Sequence, residues 1–282
     1  MGKFILTLQA LLIFTSITSA LAQKLPDVQE NNQTAPAQIR IDGKNLEWND
    51  TFLALNKRTQ LSYTISNDKN NLYLAIKTAD AATINKIIAG GISFAINTEG
   101  KKKDKGAAIL TYPLIKQSSA RGQGRSAGFG RGQGGNRNST GNQLTAAQRD
   151  SMAVAANQAK LSSVKEIKTE GFKLIIDSLI SIYNEYGIKA FASINNKGIF
   201  FYELAIPLKQ AGLSLNDTTP LAYNIKLNGL ETPGFGEGGG FGGGRNRSAG
   251  RPGGFGGNRN GAEANEDLRS ATDFWGKYTL AK

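Results

Sequence analysis

The stretch Gly198-Ile-Phe-Phe-Tyr-Glu-Leu-Ala-Ile-Pro-Leu208 decides the fold class of this chain. It is apolar almost throughout and rich in aromatic and β-branched residues, and Pro207 closes it. This composition is typical of a strand that is covered on both faces, so we expect it in the interior of a sheet. Glu203 is its only charge. Because a buried carboxylate needs hydrogen-bond partners, we predict a structural hydrogen-bonding role for Glu203.

Short segments of alternating polarity surround this stretch along the chain. Residues 59–65 alternate apolar and polar side chains, residues 66–71 have turn chemistry, and residues 72–76 return as the partner strand. We count ten to twelve such strands, and only residues 81–89 and 144–161 favour helices. The sequence therefore predicts an all-β fold, an antiparallel β-sandwich with one or two short helices.

The N-terminal segment has the features of a signal peptide over residues 1–22. Lys3 precedes an apolar run, and Ala20-Leu-Ala22 forms a small-residue cleavage site. Residues 23–37 are polar and aperiodic with two prolines, which predicts a flexible linker before a single β-sandwich domain over residues 38–282. We expect an exported protein, periplasmic or extracellular in a Gram-negative bacterium, with no membrane span in the mature chain. The absence of cysteine fits this bacterial envelope better than a eukaryotic secretory route.

Two low-complexity loops, residues 117–142 and 232–262, interrupt the predicted domain. Each combines four arginines with a Gly-rich background that cannot bury enough apolar area to order itself, so we expect disordered insertions. A surface helix over residues 144–161 follows the first loop, with Thr145 and Gln148 as its capping box. The formal net charge of +12 is concentrated in these loops. Their candidate polyanion-binding residues are Arg121, Arg125, Arg131, Arg137, Arg245, Arg247, Arg251 and Arg259.

The chain contains neither cysteine nor histidine, which narrows the chemistry open to it. Nucleophilic cysteines, thiolate zinc sites and Ser-His-Asp triads are excluded. The pairs Asp42 with Glu47 and Glu166 with Glu170 are better explained as turn and surface carboxylates than as catalytic pairs. Residues 67–71 lack the acidic density of a calcium loop and indicate a hairpin turn. We therefore expect no enzyme, no cofactor and no metal site.

Several motifs together resemble domains like the family 9 carbohydrate-binding module, in a DOMON-like β-sandwich. Ile39-Arg-Ile-Asp-Gly43 followed by Leu46-Glu-Trp48 is similar to their opening, Tyr202-Glu-Leu-Ala-Ile-Pro207 to a late strand, and Asp273-Phe-Trp275 to their closing segment. The resemblance implies a jelly-roll-like sandwich of the kind common in exported proteins of Bacteroidetes-type bacteria. It also implies a set of scaffold residues, namely Asp42, Gly43, Trp48, Glu203, Pro207 and Trp275.

Two functions remain open at this point. The first is a non-catalytic binding module for a glycan or another envelope polymer, which the resemblance and the signal peptide favour. Trp48 and Trp275 both belong to the scaffold motifs, so a sugar clamp of two tryptophans is not expected. The second is polyanion binding or tethering through the Arg/Gly-rich loops, with the sandwich as their scaffold. Nucleic acid is an expected partner only outside the cell, and the oligomeric state is undetermined by the sequence.

Overall fold

Eleven strands form two antiparallel sheets in the computed structural model, which describes residues 24–44, 46–115, 145–230 and 268–282. The first sheet has the order β1-β2-β3-β9-β8. Its strands are β1 (Ala54–Asn56), β2 (Leu61–Asn67), β3 (Asn71–Thr78), β8 (Lys189–Ile194) and β9 (Phe200–Pro207). The predicted signal peptide, both low-complexity loops and all eight of their arginines lie outside the described residues.

The second sheet has six strands in the order β11-β10-β4-β5-β6-β7. Its strands are β4 (Ile92–Asn97), β5 (Ala108–Tyr112), β6 (Glu166–Glu170), β7 (Leu179–Ser181), β10 (Leu221–Leu227) and β11 (Thr272–Tyr278). Every strand pair in both sheets is antiparallel. The predicted all-β antiparallel sandwich is therefore confirmed.

The core lies between the two sheets and is rich in aromatic rings. The deciding strand β9 pairs with β3 on one side and β8 on the other, as its composition predicts. On the core side of β9, Phe200 and Tyr202 are fully buried. Tyr63 of the first sheet reaches across to Tyr223 of the second, and their hydroxyls are 2.8 Å apart. This contact places β2 opposite β10.

Three helices accompany the strands in the described ranges: α1 (Ala81–Gly90), α2 (Ala146–Ser162) and α3 (Leu208–Ala211). Thr145 and Gln148 form the predicted capping box of α2. Only Leu161 of α2 is buried, which confirms a surface helix. Gln158 on α2 donates through Nε2 to the carbonyl of Ile194 at 2.8 Å, so the helix covers the outer edge of β8. Within these ranges no helix has the length and apolar character needed to cross a bilayer.

The alternating residues 38–43 and the apolar residues 172–176 both predict strands, but both segments have another structure. Residues 38–43 form no strand and instead cross over the outer face of the first sheet. Residues 172–176 also form no strand, because Phe172 and Ile175, three positions apart, are the side chains that enter the core. In a strand, residues three positions apart point to opposite faces, so a strand could not bury both of these side chains in one core.

Residues 24–37 differ from the flexible linker that their composition predicts. Gln29 is buried, its Nε2 donates to the carbonyl of Ile65 at 2.8 Å, and its Oε1 accepts from the amide of Ile65 at 2.7 Å. Thr34 forms a parallel bridge with Asn67. These polar residues satisfy backbone groups at the edge of the sandwich, and this fixes the segment to the domain.

Described residues next to both low-complexity loops lie at one end of the second sheet. Tyr112, Ile92, Leu227 and Thr272 lie in one row across four strands. The first loop follows shortly after Tyr112, and the second lies between Leu227 and Thr272. The amide of Leu230 donates to the carbonyl of Leu268 at 2.8 Å, so the two ends of the second loop meet.

Candidate functional site

The outer face of the first sheet is covered by a segment that we call the cover segment, residues 38–44 and 46–53. Trp48 and Phe52 from this segment pack on Tyr73, Ala75 and Ala205, all of them buried. The rings of Trp48 and Tyr73 meet edge to face with centroids 6.5 Å apart. A second, smaller apolar core therefore lies outside the sheet.

Glu203 fixes the cover segment to β9. Its Oε2 accepts from the amide of Gly43 at 2.7 Å and from the amide of Asp42 at 3.0 Å, and its Oε1 accepts from Nε1 of Trp48 at 3.0 Å. Burial raises the pKa of this carboxyl, and the three hydrogen bonds oppose the rise. Because the side chain is completely enclosed, Glu203 acts as a structural anchor and is inaccessible to a ligand.

Gly43 allows the cover segment to pass close to β8. Its φ of +75° favours glycine, and a methyl group here would lie 2.6 Å from Cδ1 of Phe191. Ser193 donates through Oγ to the carbonyl of Gly43 at 2.6 Å. The loop at Gly43 therefore covers part of Phe191, the outward aromatic side chain on β8.

The scaffold residues implied by the resemblance fall into separate places. Asp42, Gly43, Trp48 and Glu203 meet in the hydrogen-bonded cluster just described, while Pro207 ends β9. Trp275 lies on β11 in the second sheet, where its neighbour Phe274 points into the core and Trp275 is partly exposed on the outer face. The two tryptophans therefore lie on opposite sides of the sandwich and cannot hold one sugar between them.

An open groove of about 620 Å³ lies beside the cover segment, over β1, β2 and β3. We call it the β1–β3 groove. Its lining combines apolar side chains with carboxylate, amide, hydroxyl and ammonium groups. The lining residues are Leu25, Asp50, Thr51, Phe52, Leu55, Gln60, Ser62, Lys77, Thr78, Ala79 and Asp80.

A tight turn at the end of the cover segment positions the acidic side of the groove. The amide of Thr51 donates to the carbonyl of Trp48 at 2.8 Å, and Asn49 and Asp50 between them have φ values of 49° and 55°. Asparagine and aspartate tolerate this left-handed conformation better than most residues. Since Trp48 is held by Glu203, the buried anchor also fixes the position of Asp50.

Lys77 provides the cation in the groove. Its Nζ lies 2.6 Å from both carboxylate oxygens of Asp50, and 6.0 Å from the centre of the Phe201 ring. Lys77 extends from the outer face of β3, opposite Phe201 in the register. The ion pair therefore links the cover segment to a central strand of the sheet.

Two further residues place hydrogen-bonding groups at the groove. Asp80 caps α1 by accepting from the amide of Thr83 at 2.7 Å. Gln60, with a φ of 54°, donates through Nε2 to the carbonyl of Lys57 at 2.7 Å. Because both side chains are tied to backbone groups, they present defined positions to a ligand.

The sequence did not point to the groove residues Asp50, Gln60, Ser62 and Lys77. The one signal that could have found Ser62 and Lys77 is their outward position on alternating strands. Asp50 and Gln60 lie in turns in which they adopt the left-handed backbone conformation, and composition does not reveal that conformation.

Three of the four carboxylates considered as catalytic pairs take part in ion pairs near the surface. Asp42 and Glu47 flank Arg40 at 3.6 and 3.9 Å. Glu170 on β6 pairs with Lys168 at 2.6 Å. Among the described residues, no cluster of three or more histidine, cysteine, aspartate or glutamate side chains could hold a metal ion.

The hairpin turn predicted over residues 66–71 is organised by Asp68. Its Oδ1 accepts from the amides of Asn70 and Asn71, each at 2.7 Å, and its Oδ2 accepts from the hydroxyl of Tyr73 at 2.7 Å. Burial alone would raise the pKa of Asp68, but these hydrogen bonds lower it below its usual value. All these contacts belong to a tight loop between β2 and β3.

Comparisons of the chain with protein-family models, with curated proteins and with solved structures found no match. The resemblance to the family 9 carbohydrate-binding module therefore stays a prediction.

Proposed function

We propose that this chain is an exported, non-catalytic binding module and that its β1–β3 groove holds a glycan. The observation that carries the proposal is an open groove that joins apolar walls to several hydrogen-bonding side chains on a sheet. Ser62, Lys77 and Thr78 of the lining lie on strands, which hold their side chains in more defined positions than loops do. The sequence resemblance and the signal peptide support the same class of function.

The groove chemistry matches the two kinds of surface that a sugar ring presents. Its C–H faces need apolar contact, which Leu25, Phe52 and Leu55 supply. Its hydroxyl groups need donors and acceptors, which Gln60 and the Asp50–Lys77 pair supply. An ion pair can donate to one hydroxyl and accept from the next, and charged partners make the stronger hydrogen bonds.

The size of the groove fits a small segment of a glycan. A volume of about 620 Å³ lies within the range of roughly 300–1,000 Å³ found for small-ligand sites. Because the groove is open, it can bind an internal segment of a polymer and does not require a free chain end. We therefore favour one or two sugar units of an envelope polymer as the ligand.

The test is binding of the full chain to insoluble and soluble glycans, with Lys77→Ala and Gln60→Ala as groove variants. Lys168→Ala is the matched control, because Lys168 also pairs with a carboxylate at 2.6 Å but lies on the second sheet. We expect each groove variant to weaken binding about tenfold, which corresponds to about 1.4 kcal/mol. Binding that is equal in all three variants would show that the groove is not the receptor.

Polyanion binding through the Arg/Gly-rich loops is the second candidate function. The observation that favours it is that Tyr112, shortly before the first loop, and Leu227 and Thr272, on the two sides of the second, lie at the same end of the second sheet, so both loops are attached near one ligand-sized region. A variant with all eight loop arginines replaced by glutamine tests it. Binding to a polyanion should weaken steeply with salt and vanish in this variant, whereas glycan binding in the groove should persist in both conditions.

A further inference from the structure

Exposed apolar side chains lie on and around β7, the edge strand of the second sheet in the described part of the chain, and we call them the edge patch. Ile176 is 97% exposed, Tyr183 82%, Leu174 50% and Leu179 47%. All four belong to β7 or to the residues on either side of it. Isolated exposed apolar residues are ordinary, but four large ones between residues 174 and 183 indicate an interaction surface.

The backbone of β7 adds hydrogen-bonding capacity to the edge patch. The amide of Thr169 donates to the carbonyl of Ser178, and the amide of Ile182 donates to the carbonyl of Lys165, each at 2.9 Å. In an antiparallel ladder the hydrogen-bonded pairs alternate, so the amide and carbonyl of Leu179 point away from β6. Since β7 is the last strand of its sheet, these groups face the open edge.

The other sheet edges carry features that discourage pairing with another chain. The edge of β8 is covered by α2 through Gln158. The edge of β1 is covered by the N-terminal segment, because the amide of Leu55 donates to the carbonyl of Pro26 at 2.9 Å. The edge strand β11 carries Asp273 and Lys277 among its outward residues. Among the sheet edges of the described residues, the edge at β7 therefore combines uncovered backbone groups with exposed apolar side chains.

Charge indicates which partner this edge accepts. Residues 165–189 contain four lysines and four acidic residues, so this region is neutral within a chain of formal net charge +12. Two copies of a chain with this net charge repel each other, and a neutral region that carries both signs is where they can approach with the least repulsion. The charged residues are Lys165, Glu166, Lys168, Glu170, Lys173, Asp177, Glu185 and Lys189.

We propose that the edge patch is the interface of a symmetric homodimer, in which β7 of one copy lies antiparallel to β7 of the other. A two-fold axis places the same residues of both copies face to face, so an interface of this kind must be self-complementary. Apolar side chains and balanced charges meet that condition. The two six-stranded sheets then form one continuous sheet, and the β1–β3 groove of each copy stays open because it lies on the first sheet.

Sedimentation equilibrium of the full chain over a wide range of concentration tests the proposal. We expect a concentration-dependent dimer whose dissociation constant rises at least about tenfold in Ile176→Lys. Met152→Lys is the control, because Met152 is 60% exposed on α2, away from the edge. A wild-type chain that stays monomeric, or a dimer that both variants weaken equally, overturns the proposal.

A second measurement uses the absence of cysteine in the chain. Leu179→Cys introduces a single thiol at the proposed two-fold axis, where the outward backbone groups of Leu179 in one copy lie opposite those of Leu179 in the other, and Met152→Cys introduces one on the control surface. Under mild oxidation we expect a disulfide-linked dimer to form at least about tenfold faster in the first variant, because the interface holds the two thiols near each other. Equal rates in the two variants would contradict a β7 interface.

Discussion

Replacing Glu203 by glutamine tests the buried anchor beneath the cover segment. The carboxylate accepts three hydrogen bonds, two from the amides of Asp42 and Gly43 and one from Nε1 of Trp48. Glutamine keeps the shape of the side chain but has only one acceptor oxygen. If that oxygen stays with the two amides, the new NH₂ group faces the indole N–H, and two donors oppose each other in a buried site.

The magnitude follows from the bonds that change. One hydrogen bond to a charged acceptor is lost, at about 1.5–3 kcal/mol, and the two amide bonds weaken because their acceptor becomes neutral. Removing the buried charge offsets part of this loss, since burial already raises the pKa of Glu203. We expect the free energy of unfolding to fall by about 2 kcal/mol, a decrease in Tm of roughly 4–8 °C.

Urea denaturation at neutral pH measures the effect, with Glu185→Gln at an exposed position as the control. Trp48→Phe removes the indole donor together with part of the buried ring and should lower stability as well, and combining it with Glu203→Gln should cost less than the sum of the two single effects because the shared hydrogen bond is lost only once. Because the folded-state pKa of Glu203 is raised, its stabilising contribution is largest below its unfolded-state pKa. That contribution falls as the pH rises through the folded-state value. A loss under about 0.5 kcal/mol in Glu203→Gln, the range of ordinary surface substitutions, would refute the anchor role.

Three further predictions concern the rest of the fold. Gln29→Ala leaves the amide and carbonyl of Ile65 without their side-chain partners and should lower the free energy of unfolding by about 2 kcal/mol, measured in urea; an unchanged midpoint would restore the linker interpretation. Gly276→Ala places a methyl group against the ring of Tyr223 and should cost roughly 1–3 kcal/mol by thermal denaturation, whereas wild-type stability would contradict the register of β11. Burial, with the hydrogen bond to Asp68, raises the pKa of Tyr73 to about 12. Its stabilising contribution should therefore be lost as the pH rises from about 10 to about 12. A spectrophotometric titration of wild type against Tyr73→Phe measures this pKa, and a value near 10.0 would contradict the prediction.

The strands could be predicted where one face of a segment packs into the core between the two sheets and the other face carries polar side chains. Residues 59–65 alternate because the inward side chains Leu61, Tyr63 and Ile65 enter the core. The stretch at β9 was predictable for another reason. Its outward positions are buried under the cover segment, so it is apolar on both faces.

The candidate site was less predictable, because its contacts join distant parts of the chain. Glu203 visibly needs partners, but Gly43 and Trp48 lie about 160 positions away, and sequence spacing does not reveal such a contact. The groove depends on Asp50 reaching Lys77 through a left-handed turn. Local patterns predict local structure, whereas the groove forms only when the cover segment closes over the sheet.

The hydrogen bond between Leu230 and Leu268 has a consequence for how this protein can vary. A segment that departs and returns through one backbone contact can gain or lose residues without moving either neighbouring strand. Closure entropy rises only with the logarithm of length, about 0.6 kcal/mol for each doubling. Insertions and deletions between these two leucines should therefore be tolerated during evolution, and the same position offers a place to graft a reporter domain onto the sandwich.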